Sequence, residues 1–177
     1  MTGIYDRLRE AAGAPGLILR GGFHPEAGAQ VPAGPDGAPP QTLVLIGNAG
    51  PAMWDVFVES PEYAEGVPDA MDRWSERVIG ELADAFRAVP VFPFGGPPYW
   101  PFQRWARRAE PVAPSPVGVL IHPDYGLWHA YRGALLFAGR LDLPPPDDRP
   151  VPCDSCADKP CLHSCPVDAF KPEGYDV

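Results

Sequence analysis

Apolar residues recur along this chain with two periods, and the places where one period gives way to the other mark out its elements. Between residues 4 and 13, Ile4, Leu8 and Ala11 or Ala12 return every three to four positions and predict a short amphipathic helix, stopped by the glycines at 13 and 16. Residues 17–23 read as a strand, and a stretch rich in Gly, Pro and Ala from 25 to 40 reads as a long loop with room to move. The run Thr42-Leu43-Val44-Leu45-Ile46-Gly47 is apolar almost throughout and bounded by turn formers, as a central strand buried on both faces should be. After it, Asn48-Ala49-Gly50-Pro51 turns into a helix with Pro51 in its first turn. A strand, a glycine turn and a helix start can present free backbone N–H groups to an anion, and are equally an ordinary way of joining two elements.

Further on, Met71, Trp74, Val78, Leu82 and Phe86 return every three or four residues with Asp69, Asp72, Arg73, Glu76, Arg77 and Glu81 between them, predicting a long amphipathic helix over 68–86. Its stripe of Met and aromatics reads as core rather than as a cofactor box. A strand follows at 89–94. Gly95-Gly96-Pro97-Pro98-Tyr99-Trp100-Pro101 then forms a rigid aromatic turn into a helix carrying Arg104, Arg107 and Arg108, which is either an anion site or a solvated basic face. Residues 116–121 and 127–138 read as two strands of an antiparallel hairpin, turned by His122-Pro123-Asp124-Tyr125-Gly126. From 140 to 152 the prolines predict an extended, stiff tether.

Composition changes this picture in three respects. The 26 prolines and 19 glycines approach the share seen in disordered chains, but 45% hydrophobic and 11% aromatic residues predict a folded domain with proline-rich connections. At 177 residues the chain is long enough to bury a sizeable core, which predicts one domain over 1–143, a linker over 144–152 and a short appendage over 153–177. A net charge of −9 argues against nucleic acid as a partner, since that binding rests on basic residues set against phosphates. No stretch approaches the length of a transmembrane helix, and the first ten residues carry neither an apolar signal core nor a twin-arginine leader, so the expectation is a soluble, cytoplasmic protein that uses no membrane.

The most specific chemistry is in the appendage. All four cysteines lie in one run, Cys153, Cys156, Cys161 and Cys165 followed by Pro166, spaced C-x2-C-x4-C-x3-C-P. Thiolates this close can converge on one metal centre, and the bacterial ferredoxin run C-x2-C-x2-C-x3-C-P does so around an iron-sulfur cluster. The last spacer and the trailing proline fit that pattern, while the middle spacer is two residues longer. Structural zinc also takes four thiolates, normally from two knuckles a dozen or more residues apart. Disulfides would need an oxidising compartment, and four unligated thiols are a further alternative. A 4Fe-4S cluster is the reading the spacing favours.

With these residues in view, VGVLIHPDYGLWHAYRGALLFAGRLDLPPP (117–146) resembles the core of the CblC-type cobalamin-processing proteins, the cyanocobalamin decyanases and dealkylases, and LVLIGNAGPAMWD (43–55) looks like their strand and helix. The hairpin is also similar to that of epoxyqueuosine reductase, in the same superfamily, which carries ferredoxin-type cysteines directly after it. The resemblance covers about residues 42–170. It implies an α+β, nitroreductase-like fold: a mostly antiparallel sheet flanked by helices, with a broad pocket for a corrin or flavin and a short ferredoxin-like iron-sulfur segment at the C-terminus.

The same resemblance matches Gly118, Gly126, Trp128 and Arg132 to positions of the family hairpin, Arg132 to an arginine that helps hold glutathione in the decyanases, and these four together with His122 are the candidate cofactor-binding residues. Read on their own, the glycines suit a turn or a closely approached strand, and Trp128 offers a flat surface. His122 either caps its own turn or serves as a ligand or proton donor. Arg132 is either a fork for an anion or an outward strand charge. Two departures stand out: Gly95 to Phe102 occupies the place where epoxyqueuosine reductases carry an acidic proton donor, and the sequence holds one cysteine set where those enzymes hold two.

The expected function is therefore an iron-sulfur redox protein of the cobalamin-reductase superfamily, passing electrons from a 4Fe-4S cluster to a bound cobalamin or, less readily, a flavin. Its alternatives are a non-catalytic corrinoid carrier and a ferredoxin-like electron-transfer module that docks on a redox partner protein.

Overall fold

The computed structural model describes residues 3–171 and 174–175. In chain order its elements are α1 (Ile4–Gly13), β1 (Ile18–Phe23), β2 (Thr42–Ala49), α2 (Ala52–Val58), α3 (Pro61–Ala64), α4 (Ala70–Phe86), β3 (Val89–Val91), α5 (Phe102–Ala109), β4 (Ala113–Pro114), β5 (Leu120–Ile121), β6 (His129–Phe137), α6 (Pro152–Ser155), α7 (Pro160–His163), β7 (Phe170–Lys171) and β8 (Gly174–Tyr175). The class is α+β. The chain divides into two units: Met1–Glu110 with Trp128–Pro146, and Pro111–Leu127 with Asp147–Val177.

The first unit is built on a four-stranded sheet in the order β1-β2-β6-β3, antiparallel at every pairing. Its centre is apolar because both faces are covered: Leu43 to Ile46 in β2 and Ala134 to Leu136 in β6 are all fully buried, with Leu43 opposite Leu136 and Leu45 opposite Ala134. Side chains alternate across a strand. Val44, Ile46, Leu135 and Phe137 accordingly join Leu8 of α1, Phe57 of α2 and Trp74 and Ile79 of α4 in one core cluster. The intervening Leu43 and Leu45 fall outside that cluster, and α5, with Trp105 fully buried, lies against β1 and β2. The loop over 25–40 is fastened to this helix, for the Trp105 indole N–H donates to the Ala29 carbonyl at 3.2 Å.

Several elements follow the sequence pattern closely. The helix expected over 68–86 runs from Ala70 to Phe86, and the central apolar run becomes β2. The strand expected over 89–94 ends at Val91, with Pro90 on an edge, where its missing N–H is tolerated. Phe92 and Phe94, beyond it, stack on each other at 5.4 Å rather than extending the strand.

The expected hairpin does not form. Residues 129–137 lie between β2 and β3 in the sheet, while Leu120 and Ile121 pair with Pro114 and Ala113 in the second unit. The reason lies in the backbone. Pro116 has no N–H for a ladder and Gly118 turns left-handed at φ +82°, so residues 115–119 close on themselves through Ser115 N–H to Val119 O and Gly118 N–H to Ser115 O, both 2.9 Å. Residues 122–126 form another closed turn, with His122 and Gly126 exchanging N–H···O bonds of 2.9 Å each way.

In the second unit the segment after Pro146 runs without helix or strand to α6. Arg149 anchors it, donating to both Asp124 carboxylate oxygens at 2.7 Å each and to Asp147. These are exposed pairs, so their contribution is geometric more than energetic.

One pair in the first unit sets a pH response. Arg77 of α4 holds Glu62 of α3 in a two-pronged contact, 2.6 Å from Nε and 3.0 Å from Nη2. This contact is the main reason the Glu62 carboxyl is held down to about 2. In the unfolded chain it titrates at about 4.3, so its stabilisation is complete above that value and lost as pH falls toward about 2. Glu62→Gln is expected to flatten the acid limb of stability, measured as the denaturant midpoint across about pH 2 to 6.

Candidate functional site

In the second unit, two one-turn helices, each opened by a proline, deliver the cysteines. Pro152 starts α6, which carries Cys153 and is followed at once by Cys156; Pro160 starts α7, which carries Cys161. Proline suits this first position because its φ is already helical and the N–H it lacks would be unpaired there. The two turns face one cavity of about 150 Å³, lined by Cys153, Cys156 and Cys161 with Ser115, Pro116, Ile121, Leu127, Pro152, Lys159 and Pro160. Its walls are almost wholly apolar.

All four cysteines are free thiols. Burial pushes the Cys153 thiol up, and neighbouring Cys161 and Cys156 add to the shift. Cys165 is not among the residues lining the cavity. Its thiol is shifted down by the Ala169 and Val167 backbone N–H groups, the Ala169 nitrogen lying 3.5 Å from Sγ. Among the described residues no group of three or more His, Cys, Asp or Glu side chains is drawn together closely enough to hold one metal ion. The donor set nonetheless fits a soft, thiolate-loving group: three cysteines line one largely apolar cavity, with a fourth on the same short segment.

Of the other residues singled out from the sequence, Gly118, His122 and Gly126 fall in the second unit and Trp128 and Arg132 in the first. Gly118 and Gly126 both take positive φ, +82° and +58°, and make the two turns described above. His122 is buried; its Nδ1 accepts the Asp124 N–H at 3.0 Å, and its ring stacks on Tyr125 at 4.4 Å. That is the turn-capping role weighed for it, and it fixes Nδ1 as an acceptor. Trp128 is 86% exposed. Arg132, half-buried on β6, donates from Nε to Asn48 Oδ1 at 3.1 Å. Its basicity is lowered by burial and partly restored by the charge of Asp72.

Sequence reading passed over a second constellation in the first unit. Arg20 of β1, 1% exposed, donates from Nε and Nη2 to the two oxygens of Glu110 at 3.0 and 2.7 Å, and from Nη2 to His129 Nδ1 at 3.1 Å. Its guanidinium carbon also lies 4.8 Å from the centre of the Tyr131 ring, whose hydroxyl donates to Glu110 Oε1. Burial and the Glu110 charge push the Tyr131 phenol far above its ordinary value, so it stays a donor. The available signals were an arginine inside a strand pattern and a glutamate at the end of the basic helix, and neither shows from sequence that the two meet.

No protein-family model matches the chain, and no curated protein does either.

Glu110→Ala would leave the Arg20 charge buried without its carboxylate, and breaking a buried pair this way costs about 3–5 kcal/mol. Denaturant unfolding should show a loss of that size, with Glu110→Gln losing less because one oxygen acceptor remains.

Proposed function

We propose that the chain is an iron-sulfur electron-transfer protein, with Cys153, Cys156, Cys161 and Cys165 holding a 4Fe-4S cluster. The observation that carries this is that three of the four cysteines line one largely apolar cavity within a single unit. Thiolates on a tetrahedral zinc crowd within about 4 Å of one another, since each sits about 2.3 Å from the metal. A polynuclear cluster stands between its thiolates and suits a cavity walled by cysteines. The backbone N–H bonds to Cys165 favour its thiolate form, which is the ligating one. When bound, the cluster supplies one-electron transfer. Prolines, Ile121 and Leu127 make most of the remaining lining apolar, and Ser115 and Pro116 of the closed turn at 115–119 belong to it.

The experiment is anaerobic reconstitution with iron and sulfide. Broad visible absorption that bleaches on reduction is expected, and Cys153→Ser, Cys156→Ser or Cys161→Ser should remove it, because a hydroxyl is a poor substitute for a soft thiolate. One equivalent of zinc per chain with no iron incorporated overturns the reading.

For the acceptor, the resemblance supports a corrinoid of the cobalamin-reductase type. The broad indole of Trp128 stands exposed just before β6, as a surface for a flat macrocycle would. The part of the donor falls to a redox partner protein, and among the described residues no helix is long and apolar enough to cross a membrane. Titration with cobalamin should shift the corrin spectrum, and Trp128→Ala should weaken that binding about tenfold, a loss of about 1.4 kcal/mol. Equal affinity for both proteins would remove the corrin from the assignment and leave a plain electron-transfer module.

A further inference from the structure

We infer that Ser115 is the hydrogen-bond donor to a sulfur of the group held between Cys153, Cys156 and Cys161, and that it sets how readily that group accepts an electron. This rests on the iron-sulfur reading given above.

Ser115 is 7% exposed, and its Oγ is buried without a hydrogen-bond partner among the described residues. A buried hydroxyl left unmade is costly and uncommon in folded proteins, so one that persists calls for an explanation. Ser115 lines the same cavity as the three cysteines. The other walls are the side chains of prolines, Ile121, Leu127 and Lys159. Lys159 brings only a donor, and the hydrocarbon walls bring nothing. Sulfur is the one acceptor that the side chains of this cavity supply.

The serine is also held in place. Its own N–H donates to Val119 O and its carbonyl accepts from Gly118 N–H, both at 2.9 Å, and Pro116 follows it directly. The backbone is thereby committed before any group binds, and only the hydroxyl rotor is left to turn. A partner would meet a donor whose position is set in advance, which lowers the cost of ordering it.

Reduction places one more negative charge on the group, shared by its sulfurs. An O–H···S contact strengthens as the sulfur becomes more negative, and more so in an apolar cavity than in water. The hydroxyl therefore favours the reduced form and raises the potential, and hydrogen bonds to the sulfurs are among the levers that set such potentials. No bond forms or breaks: the electron comes from an external one-electron donor, and the serine proton stays on Oγ.

The test is a spectroelectrochemical titration of the full chain, reconstituted anaerobically, as wild type, Ser115→Ala and Ser115→Thr. Ser115→Ala should load iron fully and lower the midpoint by about a tenfold change in the reduction equilibrium, about 59 mV for one electron. Ser115→Thr keeps the hydroxyl and should stay close to wild type. A fully loaded Ser115→Ala protein with an unchanged midpoint overturns the inference, even if its thermal stability has moved, because the hydroxyl would then be merely structural. Loss of iron from Ser115→Ala alone also overturns it, since the serine would be holding the group rather than tuning it. Wild-type protein that takes up no iron sinks the cysteine reading itself, and the inference goes with it. Iron in the wild type with no potential change in the variant sinks only the inference.

Discussion

The first unit depends on one charged contact more than on any other. Taking a guanidinium and a carboxylate out of water costs several kcal/mol per ion, and the cost is offset only when the geometry is good and the remaining donors and acceptors are satisfied. Arg20 and Glu110 supply good geometry through two parallel hydrogen bonds, with a third from Arg20 to His129, the ring face of Tyr131 beside the guanidinium and the Tyr131 hydroxyl on the carboxylate. Such a contact is all or nothing. It ties an edge strand, the end of a helix 90 residues later and the central strand β6 into one arrangement. A one-residue slip of β1 would turn Arg20 to the opposite face of the sheet, where the apolar cluster lies. The adjoining residue shows how close the packing is: Gly21 has φ +69°, and a Cβ built there would come within 2.1 Å of the Ala109 carbonyl oxygen. The residue beside the buried arginine must be a glycine for the helix end to reach it.

That constraint also explains what was and was not legible along the chain. The helix over 70–86 and the strand β2 were legible because their information is local, a period of three to four in one case and an unbroken apolar run in the other. The run over 129–137 is just as clear as a strand. Its partner was not, since sequence adjacency favoured residues 116–121, whereas its apolar positions are matched by β2 and β3. A strand buried on both faces seeks two neighbours that are buried too, and a segment broken by Pro116 and the left-handed Gly118 offers too few ladder groups to be one. The α+β class survives this correction, because moving β6 from a hairpin into the sheet changes the connection and not the layers.

The site divides in the same way. Four thiols in thirteen residues mark a candidate ligand set before any fold is known, and only two short turns, started by prolines at 152 and 160, bring Cys153, Cys156 and Cys161 to one cavity. His122 could be weighed in either role from its place in a turn, and its bond from Asp124 N–H fills the local one. Ser115 carried no signal. It lies 38 residues before the first cysteine, and only the closing of the 115–119 turn and the pairing of β4 with β5 give it a place in the cavity wall.

The second unit has little apolar material with which to hold itself together. Among the described residues its buried hydrophobic side chains are Val112 and Leu120, against many fully buried leucines, isoleucines and tryptophans in the first unit. Folded pieces of fewer than about fifty residues usually draw on disulfides, metals or assembly to make up for a small core. The four cysteines form no disulfide here, and the exposed Arg149 network adds little at the surface. What this unit does have is a largely apolar cavity lined by three cysteines and a hydroxyl with no hydrogen-bond partner among the described residues. On the iron-sulfur reading, one bound group would fill the cavity, draw the two cysteine turns against the 115–119 turn and satisfy the serine. Metal binding would then be folding energy for this unit, and the features that make it poor as an apolar core are the ones that such a group would use.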